Sequence, residues 1–305
     1  MQVYRIGLME SDCPPAGIVI LGNFDGVHRG HQSLFDVAKG IAQAENLPIL
    51  VLTFDPPPQD FFKISTFQKI QTLSQKLATF ESYGILNCIL LKFDEALASL
   101  SPAEFVERLL IEKLHAKHVI VGSDFRFGRS RRGSAADLQQ WQGKFGVHVV
   151  PPLCFEGMPI SSTWIRSCLQ QGQVKLAHQL LGRPFTHQGV VCTGQQRGRS
   201  IGFPTANISV APDFLVKGVY AVEARWAEYR YCGVANVGTR PTVQGTDWVL
   251  EVHLPGYTGD LYGQTLDVLF LEKLRDERQF ASLDALKMQI AADVQAAAQF
   301  CVTVR

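Results

Sequence analysis

Five short runs in the first half of the chain are apolar with no polar alternation: GIVIL (17–21), LPILVLTF (47–54), NCILLKF (87–93), HVIVG (118–122) and VHVVPPL (147–153). A strand with one wet face alternates polar and apolar residues; a strand without that alternation needs cover on both faces. The stretches between the runs carry helical spacing. Leu34, Val37, Ala38 and Ile41 hold one face, and Phe67, Ile70, Leu73, Leu77 and Phe80 form a second stripe. SPAEFVERLLIEKL opens with Ser101 as cap, Pro102 at the first helical position and Glu104 three residues after the cap. Strands in alternation with helices predict a parallel sheet covered on both sides, with ligands bound beyond the carboxyl ends of its strands.

Near residue 182 the pattern changes. The later segments HQGVVCT, GVYAVEARW, RYCGVANV, WVLEVHL and TLDVLFLEKL are short and are separated by Gly, Pro, Asp and Asn, as in an antiparallel barrel or sandwich. Helical spacing returns only at Leu283, Leu286, Ile290, Val294 and Ala297. The expected division is therefore 1–182 and 183–305, an α/β domain followed by a β domain with a terminal helix.

Composition excludes several classes. A formal net charge of +1 supplies no global field for nucleic acid or anionic membrane. The N-terminus has no basic segment followed by an apolar one, and no run approaches the roughly 18 apolar residues of a membrane span. The seven cysteines are spread out, with no C-x-x-C. They read as reduced, mostly buried thiols of a cytoplasmic protein, with neither a disulfide framework nor a zinc cluster.

Two stretches of the first half carry phosphate chemistry. GNFDGVHRGHQSLF (22–35) places His28 and His31 where a strand hands over to a helix, with His31 at the helix start and His28 one turn before it. Helix starts attract anions through free N–H groups, imidazoles donate to phosphate oxygens, and Gly22, Gly26 and Gly30 allow close approach of the backbone. PISSTWIRSCL (159–169) places Ser161, Ser162 and Thr163 at a second helix start, with Arg166 one turn in. Taken singly, each stretch also fits an ordinary capped helix with solvated side chains. Arg126, Arg129, Arg131 and Arg132 read as an exposed basic loop.

Together GNFDGVHRGHQ, TFDPPP, VGSDFRFG and ISSTWIR resemble, over residues 15–170, the adenylyltransferase half of the bacterial bifunctional riboflavin kinase/FAD synthetases. The resemblance implies a Rossmann-like nucleotidyltransferase fold and the reaction ATP + FMN → FAD + pyrophosphate. It implies that His28 and His31 stabilise the ATP phosphates, that Gly22, Asn23, Phe24, Asp25 and Gly30 line the same site, and that Asp124 lies in the flavin–nucleotide cleft. Ser162, Thr163 and Arg166 hold the pyrophosphate side. Ser123 stands where the family often has an acidic residue, and Lys69 where it often has arginine.

In the second half, Thr205 and Asn207 of GFPTAN offer two oxygens on one face of an extended segment. The loop GQQRGRSIG precedes them, and Glu251 sits in a later strand. Hard Mg²⁺ takes few such ligands and shares the rest with phosphate and water, and a carboxylate beside a hydroxyl serves as general base. As isolated residues they also fit a turn and the wet face of a strand. GFPTAN, GVYAV, VANVGTRPT, LEVHL, DLYG and LRDERQF, in this order over residues 183–305, resemble the riboflavin kinase module of the same family, although Lys217 replaces a frequent proline. The resemblance implies a six-stranded antiparallel barrel with a C-terminal helix, and the reaction riboflavin + ATP → FMN + ADP with Mg²⁺. Thr205 and Asn207 then coordinate Mg–ATP, Glu251 is the base, Gly194, Arg199 and Gly202 form the phosphate loop, and Arg275 lies near the flavin. The implied partners are riboflavin, FMN and ATP.

Overall fold

The computed structural model describes residues 1–8, 10, 14–64, 67–193, 198, 201–242 and 245–301, with the side chains of 240–247 left out. Two compact units are present, Met1–Ser162 and Thr163–Arg305. The first holds a six-stranded sheet of order β1-β4-β3-β2-β5-β8, with every pairing parallel. Its strands are β1 (Gln2–Ile6), β2 (Ile18–Leu21), β3 (Ile49–Phe54), β4 (Asn87–Leu91), β5 (His118–Gly122) and β8 (Gly146–Val150). Alternate residues feed two separate cores. Val19, Leu21, Leu50, Leu52, Val119 and Val121 pack with Val106, Leu109 and Leu110 on one face. Ile18, Ile20, Val51 and Ile120 pack with Leu34, Phe35, Ala38 and Phe80 on the other. This two-faced burial accounts for the unalternating runs. The two-residue pairs β6 (Arg126–Phe127) with β7 (Gly133–Ser134), and β9 (Cys154–Phe155) with β10 (Met158–Pro159), form small hairpins outside the sheet.

The second unit contains a closed antiparallel barrel of order β11-β12-β15-β14-β13-β16. Its strands are β11 (Thr186–Cys192), β12 (Thr205–Ser209), β13 (Gly218–Trp226), β14 (Tyr229–Thr242), β15 (Gly245–His253) and β16 (Thr265–Arg275). Ala206, Ile208, Tyr220, Val222, Ala235, Val237, Leu250, Val252 and Phe270 are buried. The helix Leu283–Ala297 follows, capped by the Ser282 hydroxyl.

The fold class agrees with the sequence reading, and four local expectations change. Strand β1 escaped notice because it is half exposed at the sheet edge. The stripe from Phe67 to Phe80 is helical only over Leu73–Ser82, because Thr72 closes a capping box with Gln75 and starts the helix there. The helix capped by Ser101 widens into π-type turns over Phe105–Lys113. The expectation of uniformly unpaired thiols fails at Cys232 and Cys301, which form a disulfide with Cα atoms 5.9 Å apart. Of the other described cysteines, Cys88 and Cys168 are buried, while Cys154 and Cys192 are exposed. Among the described residues no helix is long and apolar enough to cross a membrane.

Candidate active sites

In the first unit the sheet order reverses at β2: β3 and β4 extend to one side, β5 and β8 to the other. The GNFDGVHRGH loop leaves the carboxyl end of β2, and Ser123 and exposed Asp124 follow its neighbour β5. Open α/β sheets bind ligands at such a reversal. The loop is held tightly. Phe24 (φ 49°) and Val27 (φ 41°) occupy left-handed backbone, and both side chains are fully buried. Such conformations cost non-glycine residues about 1–3 kcal/mol and persist where the surroundings impose them. A Cβ on Gly22 would lie 2.8 Å from the Phe24 ring, which packs edge-on against His31 and Phe80. Buried Lys76 donates from Nζ to the Asn23 carbonyl at 2.7 Å, and the Thr53 hydroxyl donates to the same oxygen at 3.1 Å. Burial lowers the pKa of Lys76, opposed by the nearby charge of Asp25. Asp25 accepts the Ile70 N–H at 3.0 Å, and its carbonyl accepts the Ser162 hydroxyl at 2.8 Å.

His28 itself caps the helix Arg29–Glu45: its Nδ1 accepts the His31 N–H at 3.3 Å. The helix therefore starts earlier than the sequence suggested, and His31 sits inside the first turn. The two imidazoles stack, with centroids 3.6 Å apart and planes 18° from parallel. Gly30 leaves them room, since a Cβ there would lie 3.1 Å from His28 Nδ1. Asn23 donates from Nδ2 to Gln59 Oε1 at 3.2 Å, and its Oδ1 is buried with no hydrogen-bond partner among the described residues. Helix-start N–H groups and paired imidazoles make a cradle for an anion that changes charge. Lys69 forms an ion pair with Asp60 at 2.6 Å. Thr163 and Arg166 lie on the helix Ser162–Gln170, as expected.

In the second unit, Thr205 and Asn207 share one face of β12, Thr205 half-buried and Asn207 buried like Ala206 and Ile208 on the opposite face. Asn207 stands opposite Glu251 of β15, and Glu251 opposite Asn236 of β14. Residues directly opposite in antiparallel strands share a face, so Asn207, Glu251 and Asn236 form one cross-strand row. The loop before β12 is pinned by the Phe203 N–H donating to the Gly198 carbonyl at 2.8 Å, and Gly202 turns with φ 91°. Gly194 and Arg199 lie outside the described residues. The Arg275 guanidinium donates to both carboxylate oxygens of buried Asp293, at 2.8–3.1 Å, on the terminal helix. Among the described residues no group of three or more His, Cys, Asp or Glu side chains is placed to hold a metal. The neutral oxygens of Thr205 and Asn207 suit instead a hard cation that completes its shell with phosphate and water.

Residues 11–164 match the FAD synthetase family model, and residues 181–301 match the riboflavin kinase model. The bifunctional riboflavin kinase/FMN adenylyltransferase of Escherichia coli K12 is 41% identical, over 95% of both chains. The chain belongs to the bifunctional riboflavin kinase/FMN adenylyltransferase family. The Pseudomonas fluorescens protein of the same name is 42% identical, covering 92% of this chain and 91% of its own. A crystal structure from Streptococcus pneumoniae, described as a macrolide-efflux protein, superposes with a TM-score of 0.90 at 34% identity, over 99% of this chain and 100% of that one.

Sequence reasoning did not single out Thr53, Gln59 and Lys76 around Asn23, nor Asn236 opposite Glu251 and Glu277 bonded to Asn236. A signal existed for Lys76, which falls in phase with Leu73, Leu77 and Phe80 and so carries a charge on the buried stripe of its helix. Asn236 lay in the quoted VANVGTRPT motif, but only the strand register puts it next to Glu251.

Proposed function

We propose that the chain makes FMN from riboflavin in its second half and FAD from FMN in its first, with ATP as co-substrate of both steps and the functional division at 182/183. The division is supported by the gap between the two family matches, at 164 and 181, and by Gly182, whose left-handed turn ends the helix Val174–Leu181 just before the barrel. The reading is carried by the stacked His28–His31 pair at the helix start where the sheet order reverses. There the FMN phosphate attacks the α-phosphorus of ATP and pyrophosphate leaves. His28, His31 and the N–H groups of the first turn donate to the phosphate oxygens as charge builds, so no protein nucleophile is needed. Gly22, Asn23, Phe24, Asp25 and Gly30 shape the cradle, Asp124 serves the flavin–nucleotide cleft, and Ser162, Thr163 and Arg166 serve the leaving group.

In the barrel, Glu251 accepts the proton of the ribityl 5′-hydroxyl as that oxygen attacks the γ-phosphorus. Thr205 and Asn207 hold Mg²⁺, which draws charge from the phosphates when bound, and Gly194, Arg199 and Gly202 cover the nucleotide. Arg275 is assigned to the flavin end, where its grip on Asp293 orders the chain after β16. Both steps consume ATP, which is supplied in the cytoplasm, and we place the chain there. Purified protein given riboflavin, ATP and Mg²⁺ is expected to yield FMN, then FAD with pyrophosphate. FMN that accumulates with no FAD overturns the first-half assignment, and failure to phosphorylate riboflavin overturns the second.

A further inference from the structure

Asn236 sits next to Glu251 in the cross-strand row, yet no role is assigned to it. Its amide has a fixed sense. Nδ2 donates to Glu277 Oε1 at 3.0 Å, which turns Oδ1 the other way. That Oδ1 is buried and has no hydrogen-bond partner among the described residues. A buried acceptor without a donor costs about 1–3 kcal/mol, so the arrangement persists either as a defect or as a site waiting for a donor. Glu277 is seated as if the arrangement matters. It occupies space left by the missing side chain of Gly238, where a Cβ would lie within bonding range of Oε1. Glu277 belongs to an irregular, exposed stretch after β16.

We propose that Asn236 is a substrate-positioning residue of the kinase centre: its Oδ1 accepts a hydrogen bond from a ribityl hydroxyl adjacent to the one Glu251 deprotonates. This rests on the assignment of Glu251 as base. Glu251 is an acceptor and so is Asn236 Oδ1; two acceptors side by side match a polyol, which presents successive O–H donors. The first fixes the reacting hydroxyl and the second fixes the chain behind it. Glu277 keeps the amide from flipping and offering a donor instead.

The test is steady-state riboflavin phosphorylation by the full chain, with riboflavin and its 2′-, 3′- and 4′-deoxy analogues. The wild type is expected to reject the 4′-deoxy analogue, which lacks the hydroxyl adjacent to the reacting one, by at least about tenfold in kcat/KM, as a site built around a hydroxyl does. Asn236→Ala is expected to raise KM for riboflavin about tenfold, to leave KM for ATP within about twofold, and to treat that analogue and riboflavin alike. FAD formation from supplied FMN, unchanged within about twofold, reports that the variant is folded. Gly238→Ala, which displaces Glu277 and frees the amide, is expected to lose part of the same discrimination; it decides the matter if Asn236→Ala does not fold. The proposal is overturned if wild type and Asn236→Ala discriminate equally against the 4′-deoxy analogue, or if Asn236→Ala moves KM for ATP instead. Glu251→Gln separates the two readings. If it retains FMN formation, the base assignment fails; if it abolishes FMN formation while Asn236→Ala changes no discrimination, only the present proposal fails.

Discussion

The imidazoles of His28 and His31 lie face to face at 3.6 Å, and His28 Nδ1 caps the backbone N–H of His31. One side chain thus closes the helix start while both rings are held as a pair. Gly30, between them in sequence, permits this by having no Cβ to meet His28 at 3.1–3.2 Å. Gly30→Ala is expected to push the His28 ring off its cap and to slow FAD formation about tenfold or more, with FMN formation unchanged. Separate chromatographic rates for the two products check this.

Lys76 and Thr53 hold the Asn23 carbonyl from behind the loop. Lys76→Met keeps the length and apolar stem but removes the donor and leaves that carbonyl with Thr53 alone. FAD formation is expected to fall at least about tenfold, because a bond to a charged donor contributes about 1.5–3 kcal/mol. Riboflavin phosphorylation reports the other centre and is expected to stay within twofold. Equal loss of both activities would point to global unfolding instead.

His187 sets an acid limit on the barrel. Burial pushes its pKa from 6.5 to about 4, its Nε2 has no hydrogen-bond partner among the described residues, and its ring lies edge-on to Phe214 at 4.8 Å. The folded pKa is below the unfolded one, so the unfolded chain binds the proton first. The contribution of this group is complete above pH 6.5 and is lost as pH falls towards 4, with a slope of up to about 1.4 kcal/mol per pH unit. Denaturant midpoints between pH 7 and pH 4 are expected to drop more steeply for the wild type than for His187→Phe. Parallel curves would contradict this.

The Cys232–Cys301 bond closes a separation of 69 residues between β14 and the end of the chain. Chain entropy assigns such a link about 4 kcal/mol. Reductant is expected to lower the unfolding midpoint of the wild type and to leave Cys232→Ser unchanged. Thiol titration of the denatured, unreduced protein is expected to find Cys88, Cys154, Cys168 and Cys192 reactive and Cys232 and Cys301 blocked. Seven free thiols would contradict the pairing.

The parallel sheet was legible because burial on two faces leaves no alternation to obscure its strands; Gly, Pro and Asn punctuating short strands marked an antiparallel barrel or sandwich, and only the family resemblance chose the barrel that the strands close. Candidate site residues could be grouped from the sequence where a motif holds them close, as with His28 and His31 or Thr205 and Asn207, which the structure keeps adjacent. Supports that reach across the fold were not. Lys76 meets Asn23 over 53 positions and Glu277 meets Asn236 over 41, separations with no local signature. The disulfide was missed for the same reason, since spacing alone does not pair Cys232 with Cys301.

The central claim is that one chain carries two separable phosphate-transfer centres. The most direct measurement follows FMN and FAD together in time, with riboflavin, ATP and Mg²⁺ supplied to two variants. His28→Ala with His31→Ala is expected to form FMN at nearly the wild-type rate and no FAD, whereas Glu251→Gln is expected to form no FMN yet convert supplied FMN to FAD normally. If either variant loses both activities while folded, or if the double histidine variant still makes FAD, the account is contradicted.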